Sequence, residues 1–222
     1  SIYMGWPVPL AVLFSKMICT ILGIVIEKLA YKPLRNATSL AVLITAIGVS
    51  YFLQNIALII WTSNPKAFPN MVNFIPPIVI GNDPEKAITI SSATIVTIIA
   101  CILIMVALTL FTGKTKMGKA MRAVSEDKGA AQLMGINVNA TISVTFAIGS
   151  GLAAIAGVLL CSAYPTLMPT TGSMPGIKAF TAAVLGGIGS IPGAMLGGIL
   201  LGILEKFAQA YISTQLSDAV VF

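Results

Sequence analysis

The sequence predicts an all-α membrane protein, a polytopic bundle of helices with a broken half-helix near residues 178–193 and a polar helix on its cytoplasmic side. The chain has a mean hydropathy of +0.96 and only 9% charged residues, whereas about a quarter of the residues of soluble proteins are charged. Its apolar stretches reach about 20 residues, the length that a helix needs to cross a hydrocarbon core. We therefore interpret residues 1–222 as a single transmembrane domain.

The first two predicted spans are separated by a short basic loop. The first covers about residues 8–26 and carries Lys16 near its middle. A lysine at that depth is costly and marks either a functional group or a side chain that lines the bundle or reaches toward the interface. The second covers about residues 40–61 and contains Gln54 and Asn55, amides that either bond to neighbouring helices or contact a substrate.

The next two spans follow a proline-rich loop at residues 62–90. The third span, about residues 92–111, is apolar almost throughout, which predicts a lipid-facing helix. The fourth covers about residues 139–162, with Asn137 or Asn139 placed to cap its start. Three small residues at four-residue spacing on one face of this span let another helix approach closely: Gly149, Ala153 and Gly157.

The part of the chain after the fourth span contains the predicted break. Residues 177–189 can form a helix of about 12 residues, roughly 18 Å long, which is too short to cross a membrane. It ends in GGIGSIPG, and the last span follows at about residues 192–211. A broken element at membrane depth is tolerated only where protein or a water-filled cavity surrounds it.

Basic residues favour one side of the predicted bundle. If successive spans alternate in direction, residues 27–39 and 112–138 lie on the same side and together hold eight lysines and arginines. The opposite side holds four, namely Lys66, Lys86, Lys178 and Lys206. Because basic loops stay in the cytoplasm, the sequence places residues 112–138 inside and the proline-rich loop outside.

The longest polar segment, residues 113–138, holds five of the thirteen basic residues. Gly135 is placed to end a helix there, and the small residues Gly129, Ala130 and Ala131 allow close approach of another backbone. Such a helix either docks into a groove on another protein or lies on the lipid surface. A narrow apolar stripe without an aromatic residue favours docking. The stripe consists of Met117, Ala120, Val124, Ala131 and Met134.

Two glycine-rich motifs resemble nucleotide-binding sites but lack the required context. Gly113-Lys114-Thr115 looks like the end of a phosphate-binding loop, yet Leu108 stands where that loop needs a glycine. GGIGSIPG would need a glycine at Pro192 and follows a helix rather than a strand. The chain has no histidine, and no catalytic triad is possible. The sequence predicts no enzyme, metal or cofactor, and its basic residues are interpreted as facing membrane lipid rather than nucleic acid.

Five strings carry a family resemblance: IEKLAYKPLR, ITAIGVSYFLQN, GKAMRAVSEDKGAAQLMGINV, TFAIGSGLAAIAGVLL and GIKAFTAAVLGGIGSIPGAMLGGILLGILE. They resemble the LivH-type permeases of branched-chain amino-acid ABC importers over nearly the whole chain apart from the proline-rich loop. The resemblance implies a multi-pass permease of the bacterial inner (plasma) membrane. The implied partners are two cytoplasmic ATPase subunits, a second, LivM-like permease and an external substrate-binding protein.

The resemblance also implies roles for residues. The spacing of Ala130, Ala131 and Gly135 is similar to the loop by which such permeases contact their ATPases, although Gly129 replaces the acidic residue of that loop. The implied coupling residues are Arg122, Glu126, Asp127, Ala130, Ala131 and Gly135. Half-helix ends present unpaired backbone groups that can meet a charged terminus, or else their glycines only permit tight packing. The substrate-path candidates are Gln54, Asn55, Thr181, Gly186, Gly187 and Gly189.

Two alternatives are a urea or short-amide permease of the same family and a secondary transporter or channel that works without ATPases. Lys16 is interpreted as the one ionisable side chain inside a span between residues 8 and 200, which argues against coupling to protons or sodium ions. We also expect an internal segment of a longer protein, lacking N-terminal spans and most of its last span. Ser1 is not an initiator residue, and the apolar run at residues 219–222 has only begun where the sequence stops.

Overall fold

A computed structural model of the chain describes residues 8–35, 37–68, 78–80 and 88–211. Over these residues the helices α1 to α8 cover Val8–Ile26, Ser39–Trp61, Ser92–Lys114, Lys116–Glu126, Lys128–Leu133, Val138–Ala163, Ser173–Leu185 and Ile191–Tyr211. The strands β1 to β4 cover Lys66–Ala67, Ile78–Ile80, Ile88–Ile90 and Thr166–Leu167. Most of the proline-rich loop, including Pro69, Pro76, Pro77 and Pro84, lies outside the described residues, as do residues 219–222.

Within the part of the chain that the structure describes, five helical segments are long and apolar enough to cross a membrane. They are Leu10–Tyr31, Leu40–Trp61, Ser92–Lys114, Val138–Ala163 and Ile191–Tyr211. These segments match the five spans expected from hydropathy, and they confirm the prediction of an all-α polytopic membrane bundle. Asn137 is the residue that caps α6, because its side-chain oxygen accepts a hydrogen bond from the Ala140 amide at 3.1 Å.

The chain forms two compact units, Ser1–Ala100 with Lys114–Pro169 and Cys101–Gly113 with Thr170–Phe222. In the first unit α1, α4 and α5 pack against α6, and in the second unit α7 packs against α8. The single domain spanning residues 1–222 stays a prediction.

Small residues allow α1 and α6 to pack closely. A Cβ atom at Gly23 would lie 1.8 Å from Ser150 Oγ, and one at Gly151 would lie 3.1 Å from Thr20 Oγ1 and 3.4 Å from Lys16 Cε. Lys16 therefore lays its aliphatic stem on α6, although its side chain is exposed overall. This contact uses Gly151 and not the predicted small-residue ridge.

The predicted ridge on α6 is open. A Cβ atom at Gly149 or Gly157 would meet no atom within 4 Å among the described residues, and Ala153 is exposed. The ridge therefore packs against none of the helices that the structure describes. The close approach of another helix to this face stays a prediction.

The first span continues past Ile26, the end expected from the sequence, through a π-helical turn at Glu27–Tyr31. Glu27 is fully buried. Its Oε1 atom forms an ion pair with Arg35 Nη2, and its Oε2 atom accepts a hydrogen bond from Ser143 Oγ at 2.7 Å. The helix can continue because the protein neutralises the carboxylate, which an unpaired burial would make very costly. The expectation that Lys16 is the one ionisable group in these spans is therefore wrong.

Contacts within the first unit support the predicted alternation of sides. Arg35, which follows the first span, donates a hydrogen bond from Nη1 to Asn139 Oδ1 near the start of α6. Beyond the ends of α2 and α6, β1 pairs with β4 in an antiparallel arrangement that places Lys66 opposite Leu167. The loop after α2 therefore meets the loop after α6.

The helices α7 and α8 form a tight hairpin around glycines. A Cβ atom at Gly193 would lie 2.0 Å from the Gly186 carbonyl oxygen, and one at Gly197 would lie 2.4 Å from the Ala182 carbonyl oxygen. Both helices therefore approach each other backbone to backbone. The short helix is Ser173–Leu185, so it begins and ends about four residues earlier than the sequence predicted.

Replacing Arg35 with alanine should destabilise the first unit, because Glu27 would keep a buried charge without its partner. We expect the free energy of unfolding to fall by about 3–5 kcal/mol, as for other broken buried ion pairs. Denaturant unfolding of the purified protein in mild detergent measures this change. Lys32→Ala is the matched control, since Lys32 is exposed in the same loop and should change the value by less than about 0.5 kcal/mol. Equal losses in both variants would contradict the prediction.

Gly197→Ala and Gly202→Ala should act in opposite directions. The added methyl at residue 197 collides with α7, and we expect it to cost about 1–3 kcal/mol through overpacking. A Cβ atom at Gly202 meets no described atom within 4 Å, so alanine there should stabilise α8 by about 0.5–1 kcal/mol. The same unfolding measurement compares the two variants. A stable Gly197→Ala protein would show that α7 and α8 do not need this close approach.

Candidate functional sites

The polar segment of residues 113–138 folds into two short helices rather than the single helix that its stripe predicted. Thr115 caps α4 by accepting a hydrogen bond from the Gly118 amide at 3.0 Å. Asp127 then interrupts the helix with extended backbone and caps α5, because its Oδ1 atom accepts hydrogen bonds from the amides of Gly129 and Ala130 at 2.8 and 3.1 Å. An aspartate that binds its own backbone in this way competes with helix continuation.

Gly135 ends α5 as predicted. Its φ angle is +79°, a left-handed conformation that glycine adopts without steric cost. The Gly135 amide donates to the Gln132 carbonyl at 3.0 Å, and the Ile136 amide donates to the Ala131 carbonyl at 3.1 Å. This pair of hydrogen bonds is the Schellman motif. It turns the chain sharply into Asn137, the cap of α6.

The two short helices bury one face and expose the other. Val124 and Ala131 are only 6% and 3% exposed, consistent with the packing of α4 and α5 against α6. Leu133 is 90% exposed and Met134 is 82% exposed, so Met134 does not belong to the buried stripe to which the sequence assigned it. The break at Asp127 changes the rotation of the second helix, and the predicted stripe therefore does not continue across it.

The predicted coupling residues form two groups, one that is exposed and available to a partner and one that shapes the local fold. Arg122, Glu126 and Ala130 are exposed on α4 and α5. Ala131 is buried, and Asp127 and Gly135 are exposed but shape the backbone through the cap and the turn described above. Leu133, which the sequence analysis did not select, is the most exposed large apolar residue among those described.

The predicted substrate-path residues of α2 bond within their own helix. Gln54 Nε2 donates to Ser50 Oγ at 3.2 Å, and Asn55 Nδ2 donates to the Tyr51 carbonyl at 2.8 Å. Both residues belong to the first unit, whereas the remaining candidates belong to the second.

The path candidates of the second unit lie along α7 and the turn that follows it. Thr181 Oγ1 donates to the Ile177 carbonyl at 2.9 Å. Gly186 packs directly on Gly193, whereas Gly187 and Gly189 have φ angles of +90° and +101° and open space around them. Gly186 therefore serves tight packing, and the other two glycines serve the sharp turn.

The broken element presents fewer unpaired backbone groups than its sequence suggested. Ser190 caps α8, because its Oγ atom accepts a hydrogen bond from the Gly193 amide at 3.1 Å. The Ser190 carbonyl also accepts from the Ala194 amide at 2.9 Å, and Pro192 has no amide hydrogen to offer. The start of α8 is therefore largely satisfied by its own chain.

The second unit contains a charged pair that the sequence analysis missed. Lys178 Nζ on α7 lies 2.9 Å from Glu205 Oε1 on α8, and Gln209 Nε2 donates to the same oxygen at 3.2 Å. The sequence analysis counted Lys178 only among the basic residues of the outer side and gave it no partner, whereas it lies inside α7. The sequence does show a lysine and a glutamate in two successive apolar stretches. That they form a pair follows only from the hairpin of α7 and α8.

The family model described as "Branched-chain amino acid transport system / permease component" matches residues 2–222. The high-affinity branched-chain amino acid transport system permease protein LivH of Escherichia coli (strain K12) is 46% identical over 206 residues, 93% of this chain and 66% of LivH. The corresponding protein BraD of Pseudomonas aeruginosa is 45% identical over 210 residues, 94% of this chain and 67% of BraD. The xylose transport system permease protein XylH of Escherichia coli (strain K12) is 33% identical over 99 residues, 42% of this chain and 25% of XylH.

No solved structure matches the chain. The chain spans 66% of the length of LivH, just under two thirds. The family match covers both compact units, and LivH and BraD align with nearly all of this chain. The chain therefore belongs to the family of permease components of branched-chain amino acid transport systems.

Proposed function

We propose that the chain is a permease subunit of an ABC importer that carries branched-chain amino acids across the inner (plasma) membrane of a bacterium by alternating access. The observation that carries this proposal is the family match over residues 2–222, together with the similarity to LivH and BraD, which are permease proteins of high-affinity branched-chain amino acid transport systems. Five apolar helical segments supply the membrane-crossing bundle. Two ATPases, a second, LivM-like permease and an external binding protein complete the importer in this proposal.

The proposed contact with the ATPase is a docking face made of Arg122, Glu126, Ala130, Leu133 and Met134. Its apolar part consists of Leu133 and Met134, which are 90% and 82% exposed. Burying an exposed leucine or methionine in an interface is favourable by about 1.5–3 kcal/mol. The small side chain of Ala130 leaves room for a partner residue beside them. A protein surface is therefore a suitable occupant of this docking face.

Three further coupling residues act in the proposal by holding the docking face in place. Asp127 uses Oδ1 to cap α5, Ala131 packs inward at 3% exposure, and Gly135 makes the turn into α6. A movement of the docking face would therefore reach α6 over a connection of only a few residues.

The proposal assigns substrate-path residues to each unit separately, namely Gln54 and Asn55 in the first unit and Thr181, Gly187 and Gly189 in the second. Asn55 and the two glycines are exposed, and Gln54 and Thr181 are partly exposed. The hydroxyl of Thr181 and the amides of Gln54 and Asn55 offer more donor and acceptor positions than the hydrogen bonds described above use, so each can also form a hydrogen bond to a substrate. Gly186 contributes to this path only by letting α7 and α8 pack closely.

Leu133→Ala should weaken the binding of the ATPase subunits without altering the fold, because Leu133 is 90% exposed among the described residues. We expect the dissociation constant to rise about 10- to 100-fold, the equivalent of losing one buried leucine. Titration of purified ATPase onto the permease complex in lipid nanodiscs measures this constant. Gln132→Ala is the matched control, because Gln132 is exposed next to Leu133 but does not belong to the docking face. Unchanged affinity in Leu133→Ala would remove the docking face from the proposal.

Proteoliposomes that contain the whole importer should accumulate labelled leucine only when both ATP and the external binding protein are present. A tenfold excess of unlabelled isoleucine or valine should compete, and the same excess of urea or acetamide should not. Transport driven by this chain alone would identify an ATPase-independent transporter or channel. Competition by urea but not by isoleucine would instead favour the urea or short-amide permease.

A further inference from the structure

The ion pair between Lys178 and Glu205 stands within an apolar part of the chain. Glu205 belongs to the candidate span Ile191–Tyr211, and Lys178 approaches it from α7 at 2.9 Å. Charged side chains in such segments are costly and are retained mainly where they face a pathway, a ligand or each other. Glycines already allow α7 and α8 to pack closely, so this packing does not by itself explain why the ion pair is present.

The Lys178–Glu205 pair remains accessible, unlike the other ion pair of the described chain. The side chains of Lys178 and Glu205 are 25% and 22% exposed, whereas Glu27 in its pair with Arg35 is 0% exposed. Glu27 also uses both carboxylate oxygens, for Arg35 and Ser143. In Glu205 the contacts from Lys178 and Gln209 converge on Oε1. A ligand can thus approach the Glu205 carboxylate without dismantling the hairpin.

An α-amino acid carries an ammonium and a carboxylate on the same carbon atom, which matches this arrangement of charges. We infer that Lys178 and Glu205 form the binding site for the zwitterionic head group of the transported amino acid. Lys178 binds the substrate carboxylate, and Glu205 binds the substrate ammonium. This inference rests on the proposed function and adds to it the residues that recognise the head group.

Electrostatics favour the binding of a zwitterion to this ion pair. An ion pair and a zwitterion each have zero net charge, so binding places no net charge in the apolar part of the membrane, where an uncompensated charge is very costly. Charge-assisted hydrogen bonds are about twice as strong as neutral ones, and a low dielectric strengthens them further. The glycine turn carries no charged side chain, and Ser190 already accepts hydrogen bonds from the amides of Gly193 and Ala194 at the start of α8.

The neighbouring side chains fit the same role. Thr181 lies three residues after Lys178 and Met174 four residues before it, so all three occupy one face of α7. Met174 is 49% exposed and offers a flexible apolar surface for a branched side chain. Thr181, a predicted substrate-path residue, is only partly exposed and lies next to Lys178 on this face.

The test replaces both charges at once, with Lys178→Met and Glu205→Met in the same chain. Replacing an ion pair by apolar residues of similar size is often neutral or stabilising, so this variant should assemble with its partners. We expect labelled leucine to bind the purified importer complex, without the external binding protein, at least about 100-fold more weakly than to the parent complex, as two charge-assisted contacts are lost. Lys206→Met, which removes a neighbouring exposed charge, should leave leucine binding unchanged.

A single substitution separates recognition from a structural role. Glu205→Gln should reduce the preference for leucine over 4-methylpentanoate, which lacks the ammonium, by about tenfold or more. Its preference for leucine over isopentylamine, which lacks the carboxylate, should change less. Equal weakening for all three ligands, or unchanged leucine binding in the double variant, would overturn the inference. ATP-dependent leucine uptake by the parent importer is measured alongside, because its absence would instead overturn the proposed function.

Discussion

A carboxylate that water does not reach must be neutralised by the protein, and Glu27 imposes this requirement on the first unit. The ion pair with Arg35 brings the loop after the first span back onto the helix, and the hydrogen bond from Ser143 holds α6 against the same carboxylate. Arg35 also bonds to Asn139. One buried charge thus sets the end of the first span, the path of the following loop and the position of α6, on which α4 and α5 also pack.

Glycine permits the close packing that these polar contacts require, and it does so at specific positions. Gly23 accommodates Ser150, while Gly193 and Gly197 accept the backbone of α7. Other glycines in the same helices face open space, so a glycine pattern read from the sequence identifies more close contacts than the structure contains. Neighbouring glycines therefore have different structural roles, because Gly187 and Gly189 shape an exposed turn, whereas Gly186 is part of a packed interface.

The two ion pairs illustrate how burial separates structural from functional charge. Glu27 is fully enclosed and fully bonded, and its role is to organise helices. Lys178 and Glu205 are both partly exposed, and their charges can be shared with a ligand. The proposed docking face shows the same difference in burial among apolar side chains, since Val124 is buried in α4 while Leu133 and Met134 have no comparable cover among the described residues.

The sequence alone determined the class of fold, the approximate limits of the five spans, the glycine stop at Gly135 and the family resemblance. These features depend on local composition or short motifs, so they can be read without knowing which helices meet. Only the tertiary structure decided that Glu27 is buried, since its partner Ser143 lies 116 residues away, and that Lys178 pairs with Glu205 across a hairpin. It also showed that Asp127 divides the polar segment and that β1 pairs with β4. Ion pairs and strand pairs join residues that are distant in the chain, and the free energy of a buried charge depends on all of its surroundings.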